Sequence, residues 1–238
     1  FHAMLERDLK DAQILKCQAT GAVTFGMQVT DCAKRPLFYD SLWADMLGKL
    51  IALRARWYEA AMRERTSVPE TLVVLNEPYL AALGSSVVPI DADAVAAVFQ
   101  DAASLLKGGL GVHCCSNTDW GFLISLRPAL ISFDAYTTAR EFLLYADEIA
   151  GFLEGGGAIA WGIVPAEYQV FRQETEASLY ERFQAIRQQV CEYVDDELFF
   201  SQSLITPTCG IRFADEEGAE AIMQMTAGLS RRVRGESA

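Results

Sequence analysis

His113 and Cys115 stand one residue apart at the end of an apolar run, Leu110-Gly111-Val112, that reads as a β-strand. A strand sends successive side chains to opposite faces, so this imidazole and this thiol share a face while Cys114 points away. Imidazole nitrogen and thiolate sulfur suit zinc, and together they make half of a tetrahedral site. Ordinary packing also produces His-x-Cys, since cysteine is among the most buried residue types, so short-range spacing alone leaves both readings open. Further donors must come from other strand ends. Cys209 sits in the turn Thr206-Pro207-Thr208-Cys209-Gly210, and Asp134 ends the apolar run Ile131-Ser132-Phe133. With His113 and Cys115 these offer one nitrogen, two sulfurs and a carboxylate oxygen.

The elements that must position these groups follow a strand–helix rhythm. Strands are predicted over Ala12–Gln18, Leu72–Asn76, Leu110–Cys115, Ala129–Ala135, Ala158–Val164 and Ser203–Thr208, separated by segments with helical apolar spacing. Asp91 is placed to cap a helix whose stripe is Val95, Val98, Phe99 and Ala102. The last helix opens on Asp215, Glu216 and Glu217 and closes on Arg231, Arg232 and Arg234, the polarity that suits its dipole. Gly155-Gly156-Gly157 stops a helix ahead of the fifth strand. Six such units without a linker indicate a parallel sheet covered by helices, either a (β/α) barrel or an open doubly wound sheet. No Gly-x-Gly-x-x-Gly follows a strand, and polar residues gather at the ends of several strands, among them Asn76-Glu77, His113–Cys115, Asp134 and Cys209. Both features favour a TIM-type (β/α) barrel, with residues 1–238 as a single barrel-like catalytic domain. Eight strands are expected of a barrel and six are visible.

Composition narrows the functional classes. The 238 residues are half apolar and carry a net charge of −12, which supports a large core and argues against nucleic acid and anionic membranes as main partners. Six cysteines at positions 17, 32, 114, 115, 191 and 209 do not have the spacing of a secreted disulfide scaffold. No signal peptide is visible, and no run approaches the roughly 20 apolar residues of a bilayer span. A cytoplasmic protein with reduced thiols is expected. Phe1-His2-Ala3 ahead of Met4 reads as a remnant of expression, so His2 is given no role.

The ordered segments His113-Cys114-Cys115-Ser116-Asn117, Ile131-Ser132-Phe133-Asp134 and Thr206-Pro207-Thr208-Cys209-Gly210 resemble the catalytic domain of cobalamin-independent methionine synthase. They are also similar to the zinc methyltransferases that take methyl groups from corrinoid proteins, within the uroporphyrinogen decarboxylase-like superfamily. Thr20-Gly21-Ala22-Val23-Thr24, Leu75-Asn76-Glu77-Pro78 and Ala160-Trp161-Gly162-Ile163-Val164-Pro165 extend the resemblance over nearly the whole chain from about Leu15. It implies a barrel with zinc held by His113, Cys115 and Cys209, with Asp134 standing where the synthases have a glutamate ligand. It further implies a small-molecule thiol substrate activated as thiolate for methyl transfer, with Asn76, Glu77 and Asp134 as catalytic residues.

Departures from the pattern select among substrates. The synthases carry an aspartate where this chain has Asn76, so the charge that would hold the ammonium group of homocysteine is lost. No histidine follows His113 to act as proton carrier. Ala22 replaces a proline, and the nearby tryptophan of the folate-dependent enzymes is absent, so a methylcorrinoid protein fits better as donor. The first two strand–helix units of the family have no counterpart, which points to N-terminal truncation or to a homo-oligomer that supplies the missing wall. A catalytically silent scaffold barrel and a metal-free decarboxylase of the same superfamily are the alternatives. Trp43 and Trp57, on a long helix beginning near Ser41, are expected to be packing residues. Trp120 either packs or lines the site mouth. Asn117 and Asp119 either orient the metal ligands or cap the helix that starts near Thr118.

Overall fold

The computed structural model describes residues 5, 6, 9, 12–211 and 214–235. Phe1, His2, Ala3 and Met4 lie outside the described residues. The protein is α/β, and its six strands form one parallel sheet whose neighbours follow chain order, β1-β2-β3-β4-β5-β6. Order without reversal is that of a singly wound sheet, whereas a doubly wound sheet reverses direction partway across. By its internal contacts the chain divides into two compact units, residues 1–114 with 128–130 and residues 115–127 with 131–238.

In the first unit, β1 (Ile14–Thr20), β2 (Glu70–Asn76) and β3 (Leu110–Cys114) pair in parallel. Leu72, Val73, Val74 and Leu75 of β2 are all buried, as is every residue of β3. Such continuous apolar runs are what a strand covered on both faces requires. β1 instead alternates, with Leu15, Cys17 and Ala19 buried and their neighbours not. It runs two residues later than expected because this alternation fits its buried side chains against Ala55, Met62 and Val73. Helix α1 (Ala22–Gln28) follows β1, and the 25-residue helix α2 (Ser41–Arg65) comes next. Asp40 caps α2 by accepting from Leu42 N at 3.0 Å and Trp43 N at 3.2 Å, and Arg63 and Arg65 close it. α2 packs against α3 (Ala92–Ser104), which Asp91 caps with the expected stripe of Val95, Val98, Phe99 and Ala102 buried. The expectation that Trp43 and Trp57 are packing residues is corrected, for they are 44% and 53% exposed. The buried face of α2 instead combines Leu47, Ile51 and Met62 with small residues such as Ala44, Gly48 and Ala52, and the small ones allow the close approach of α3.

The second unit holds α4 (Trp120–Ser125), most of β4 (Leu130–Phe133), α5 (Ala135–Phe142), α6 (Ala146–Glu154), β5 (Ala158–Val164) and α7 (Tyr168–Phe171). α8 (Glu176–Val190), α9 (Asp196–Ser201), β6 (Ser203–Pro207) and α10 (Glu216–Val233) complete it. Its core is aromatic: Trp120, Phe133, Phe142, Trp161 and Phe199 are fully buried, with ring centroids of successive pairs 4.4–5.8 Å apart. Trp120 is therefore a packing residue. Gly162 on β5 has no room for a side chain, since a Cβ would meet Phe133 O at 2.3 Å and Thr208 Cα at 2.9 Å. Asp215 caps α10, which has the expected acidic first turn and basic last turn, and the triple glycine stops α6 with Gly156 at φ 86°.

Candidate metal centre

The strand registers of the first unit align Thr20 with Asn76 and Asn76 with His113, which brings the carboxyl ends of β1, β2 and β3 into one row. β3 leaves its ladder at Cys114, whose side chain is 1% exposed, while Cys115 just beyond is half-buried. His113 is buried, and its carbonyl accepts from Glu77 N at 2.8 Å. This backbone bond ties the end of β3 to the turn after β2.

Cys209 follows β6 in a turn held at its neighbour Thr208. Thr208 N donates to Val164 O at 2.8 Å, and Thr208 Oγ1 accepts from Ala166 N at 2.9 Å. These bonds fix the chain one residue before the thiol, as the Thr-Pro-Thr-Cys-Gly turn implies.

His113, Cys115 and Cys209 each offer a ligand atom, and those atoms lie within 4.8 Å of one another. In tetrahedral zinc sites, bonds of 2.0–2.3 Å place neighbouring donors about 3.5–3.8 Å apart, so this separation suits a metal with little side-chain adjustment. One imidazole and two thiols form a soft donor set that fits zinc better than magnesium or calcium. Cys114 is outside the group, in agreement with strand parity. The six cysteines are present as thiols.

Asp134 is the N-cap of α5, where Oδ1 accepts from Thr137 N at 3.0 Å. It is not in the donor cluster. Burial raises its carboxyl above the usual range, the hydroxyl and amide of Thr137 and the amide of Tyr136 pull it back, and the charge of Cys209 adds a smaller upward push. β4 ends at Phe133, earlier than expected, because Asp134 already begins the turn into α5.

Asn76 Oδ1 accepts from Gln18 Nε2 at 2.9 Å, a cross-strand bond on one face of the β1–β2 pair. Glu77 is fully buried and reaches the first turn of α1, accepting from Val23 N at 3.1 Å and from Thr24 N at 2.7 Å. Burial pushes its carboxyl up to about 7 against the opposing pull of Thr24 and Val23. Gly21 makes room for it, since a Cβ there would lie 2.0 Å from Glu77 Oε1. Asp119 caps α4 through Phe122 N at 2.9 Å, and Asn117 accepts from Trp120 Nε1 at 2.9 Å.

Three residues that hold the site were missed in the sequence: Gly21, Gln18 and Thr208. Their signals are a glycine at a strand end, an amide two residues before that end, and a hydroxyl beside the candidate thiol. Their partners are 42 or more residues away, so spacing could not expose them. Glu174 is a fourth unforeseen group in this region, accepting from Tyr136 Oη at 2.6 Å two residues beyond Asp134.

Among the described residues no helix is long and apolar enough to cross a membrane. No family model matches the chain, and no curated protein matches it significantly.

Proposed function

We propose that the chain is a zinc-dependent methyltransferase that takes a small-molecule thiol as methyl acceptor, built on a fold of the (β/α)-barrel type. The observation that carries this reading is the convergence of His113, Cys115 and Cys209 ligand atoms within 4.8 Å, from strand ends nearly a hundred residues apart. Singly wound strand order and the gathering of polar residues after the strands support the barrel type. Three protein donors match the ligand count of catalytic zinc, which keeps its fourth position for an exogenous group. When bound, zinc supplies the Lewis acidity that favours thiolate over thiol at neutral pH.

The chain's own residues hold the geometry. His113 contributes a nitrogen whose strand is anchored through its carbonyl to Glu77 N. Cys115 and Cys209 contribute sulfur, the second from a turn pinned by Thr208. The transfer is an in-line displacement in which sulfur bonds to the methyl carbon as the bond from donor to carbon breaks, the thiol proton having passed to solvent. Such chemistry asks little of a general acid or base. Asn76 brings no charge for an ammonium group, and a methylcorrinoid protein is the favoured donor.

Metal analysis of purified protein tests the reading. About one zinc per chain is expected, reduced by Cys209→Ser. Absence of zinc, or zinc indifferent to that substitution, sinks it. A second reading, a metal-bearing scaffold without turnover, is favoured by the engagement of both Asn76 and Glu77 in structural hydrogen bonds. It predicts that the cobalt-substituted protein shows no spectral response to added thiols and that no thiol is methylated by any donor.

A further inference from the structure

Helix α2 is apolar on two faces. Its inner face, including Leu47, Ile51, Ala55 and Met62, is buried. On its outer face Trp43, Met46, Leu50, Leu53 and Trp57 are 44–58% exposed, with Leu42 beside them at 65%. A helix with large apolar residues on both faces is normally covered on both. The outer residues recur at intervals of three, four, three and four, the a/d spacing of a coiled-coil seam rather than the wide apolar face of a membrane-surface helix. Between residues 43 and 57 the one acidic side chain, Asp45, pairs with Lys49, and the basic side chains are Lys49, Arg54 and Arg56, all exposed, in a chain whose net charge is −12. They occupy the positions flanking the seam, where charge sets partner choice.

We propose that the outer face of α2 is a docking surface for an amphipathic helix of a partner protein, with apolar residues at heptad spacing and acidic residues beside them. Charge complementarity selects this occupant. A second copy pairing through the same seam would oppose Lys49, Arg54 and Arg56 with their own kind, a destabilising arrangement. The narrow a/d seam, in place of the wide apolar face of a membrane-surface helix, disfavours a lipid surface.

Two synthetic helical peptides test the proposal, both with leucine at a and d, one with glutamate and the other with lysine at e and g. Trp120 and Trp161 are buried, so a change in tryptophan emission on titration reports Trp43 and Trp57. The glutamate peptide is expected to give a saturable blue shift that weakens with added salt, and the lysine peptide none. Leu50→Glu with Leu53→Glu, on the exposed face, should weaken binding about tenfold or more with far-ultraviolet circular dichroism unchanged. The triple variant Lys49→Glu, Arg54→Glu, Arg56→Glu should transfer preference to the lysine peptide. Equal response to both peptides, or to neither, overturns the proposal. So does a concentration-dependent dimer in sedimentation that Leu50→Glu dissolves, or binding to phosphatidylserine vesicles without discrimination between the peptides.

Discussion

Glu77 and Asp134 each follow a strand and each bind the first turn of a helix, yet they serve the fold differently. Asp134 caps α5, the helix it immediately precedes, through one oxygen accepting from Thr137 N. Glu77 reaches α1, which begins more than fifty residues earlier in the chain, and both of its oxygens accept backbone N–H groups there. Glu77 is fully buried, whereas Asp134 remains partly exposed. The contrast teaches that an acidic residue after a parallel strand can be a site residue or a clamp. The number of its oxygens already committed to backbone tells which. Asp134 stays within the turn it caps, partly exposed and close enough to Cys209 to feel its charge. Glu77 has no oxygen to spare.

Glu77→Ala leaves two buried N–H groups of α1 unsatisfied beside a cavity, and should lower unfolding free energy by about 3–5 kcal/mol in urea titrations. A loss below about 1 kcal/mol would remove the clamp role. The next largest effect is on pH. The Glu77 carboxyl, pushed up to about 7 in the fold, binds its proton more tightly than in the unfolded chain. Its stabilising contribution is therefore full below the ordinary carboxylate range and is lost as pH rises through about 7, a fall of about 3 kcal/mol. Denaturation midpoints at pH 5 and pH 8 should show the fall in the parent protein, and Glu77→Gln should flatten it.

Asp134→Ala should cost about 1 kcal/mol, the value of one local cap. Asp134→Asn keeps a good capping residue and should change stability by less than about 0.5 kcal/mol. That variant sharpens the comparison most. Zinc affinity unchanged in Asp134→Asn makes the residue a cap alone, whereas a drop of tenfold or more makes its second oxygen part of the metal's surroundings.

Much of the architecture is legible in the linear chain because it rests on local physics. The strands Leu72–Asn76 and Ala158–Val164 are readable because buried parallel strands are near-continuous apolar runs, and Ala158–Val164 is observed with the boundaries expected. β1 and β4 are displaced or shortened, since an edge strand is bounded by which side chains find cover and β4 by the cap that follows it. His113 and Cys115 are readable as a pair from strand periodicity, although β3 ends at Cys114 and the turn beyond it carries Cys115. The exposure of Trp43 and Trp57 was not legible: two apolar stripes on one helix look alike until a neighbour covers one of them. On the covered side of α2 the large residues Leu47, Ile51 and Met62 are interleaved with small ones such as Gly48, beside which Val98 of α3 approaches closely.

The linear chain carries the alternation of strands and helices, the helix cap at Asp91, the charge polarity of the last helix, and the parity that separates Cys115 from Cys114. All of these arise from contacts a few residues long. Only the folded chain decides that the strands keep their sequence order, that Glu77 belongs to α1 and that Cys209 meets His113 and Cys115. Each of those outcomes joins groups dozens of residues apart, where chain spacing carries no distance and the packing of helices against the sheet sets it instead.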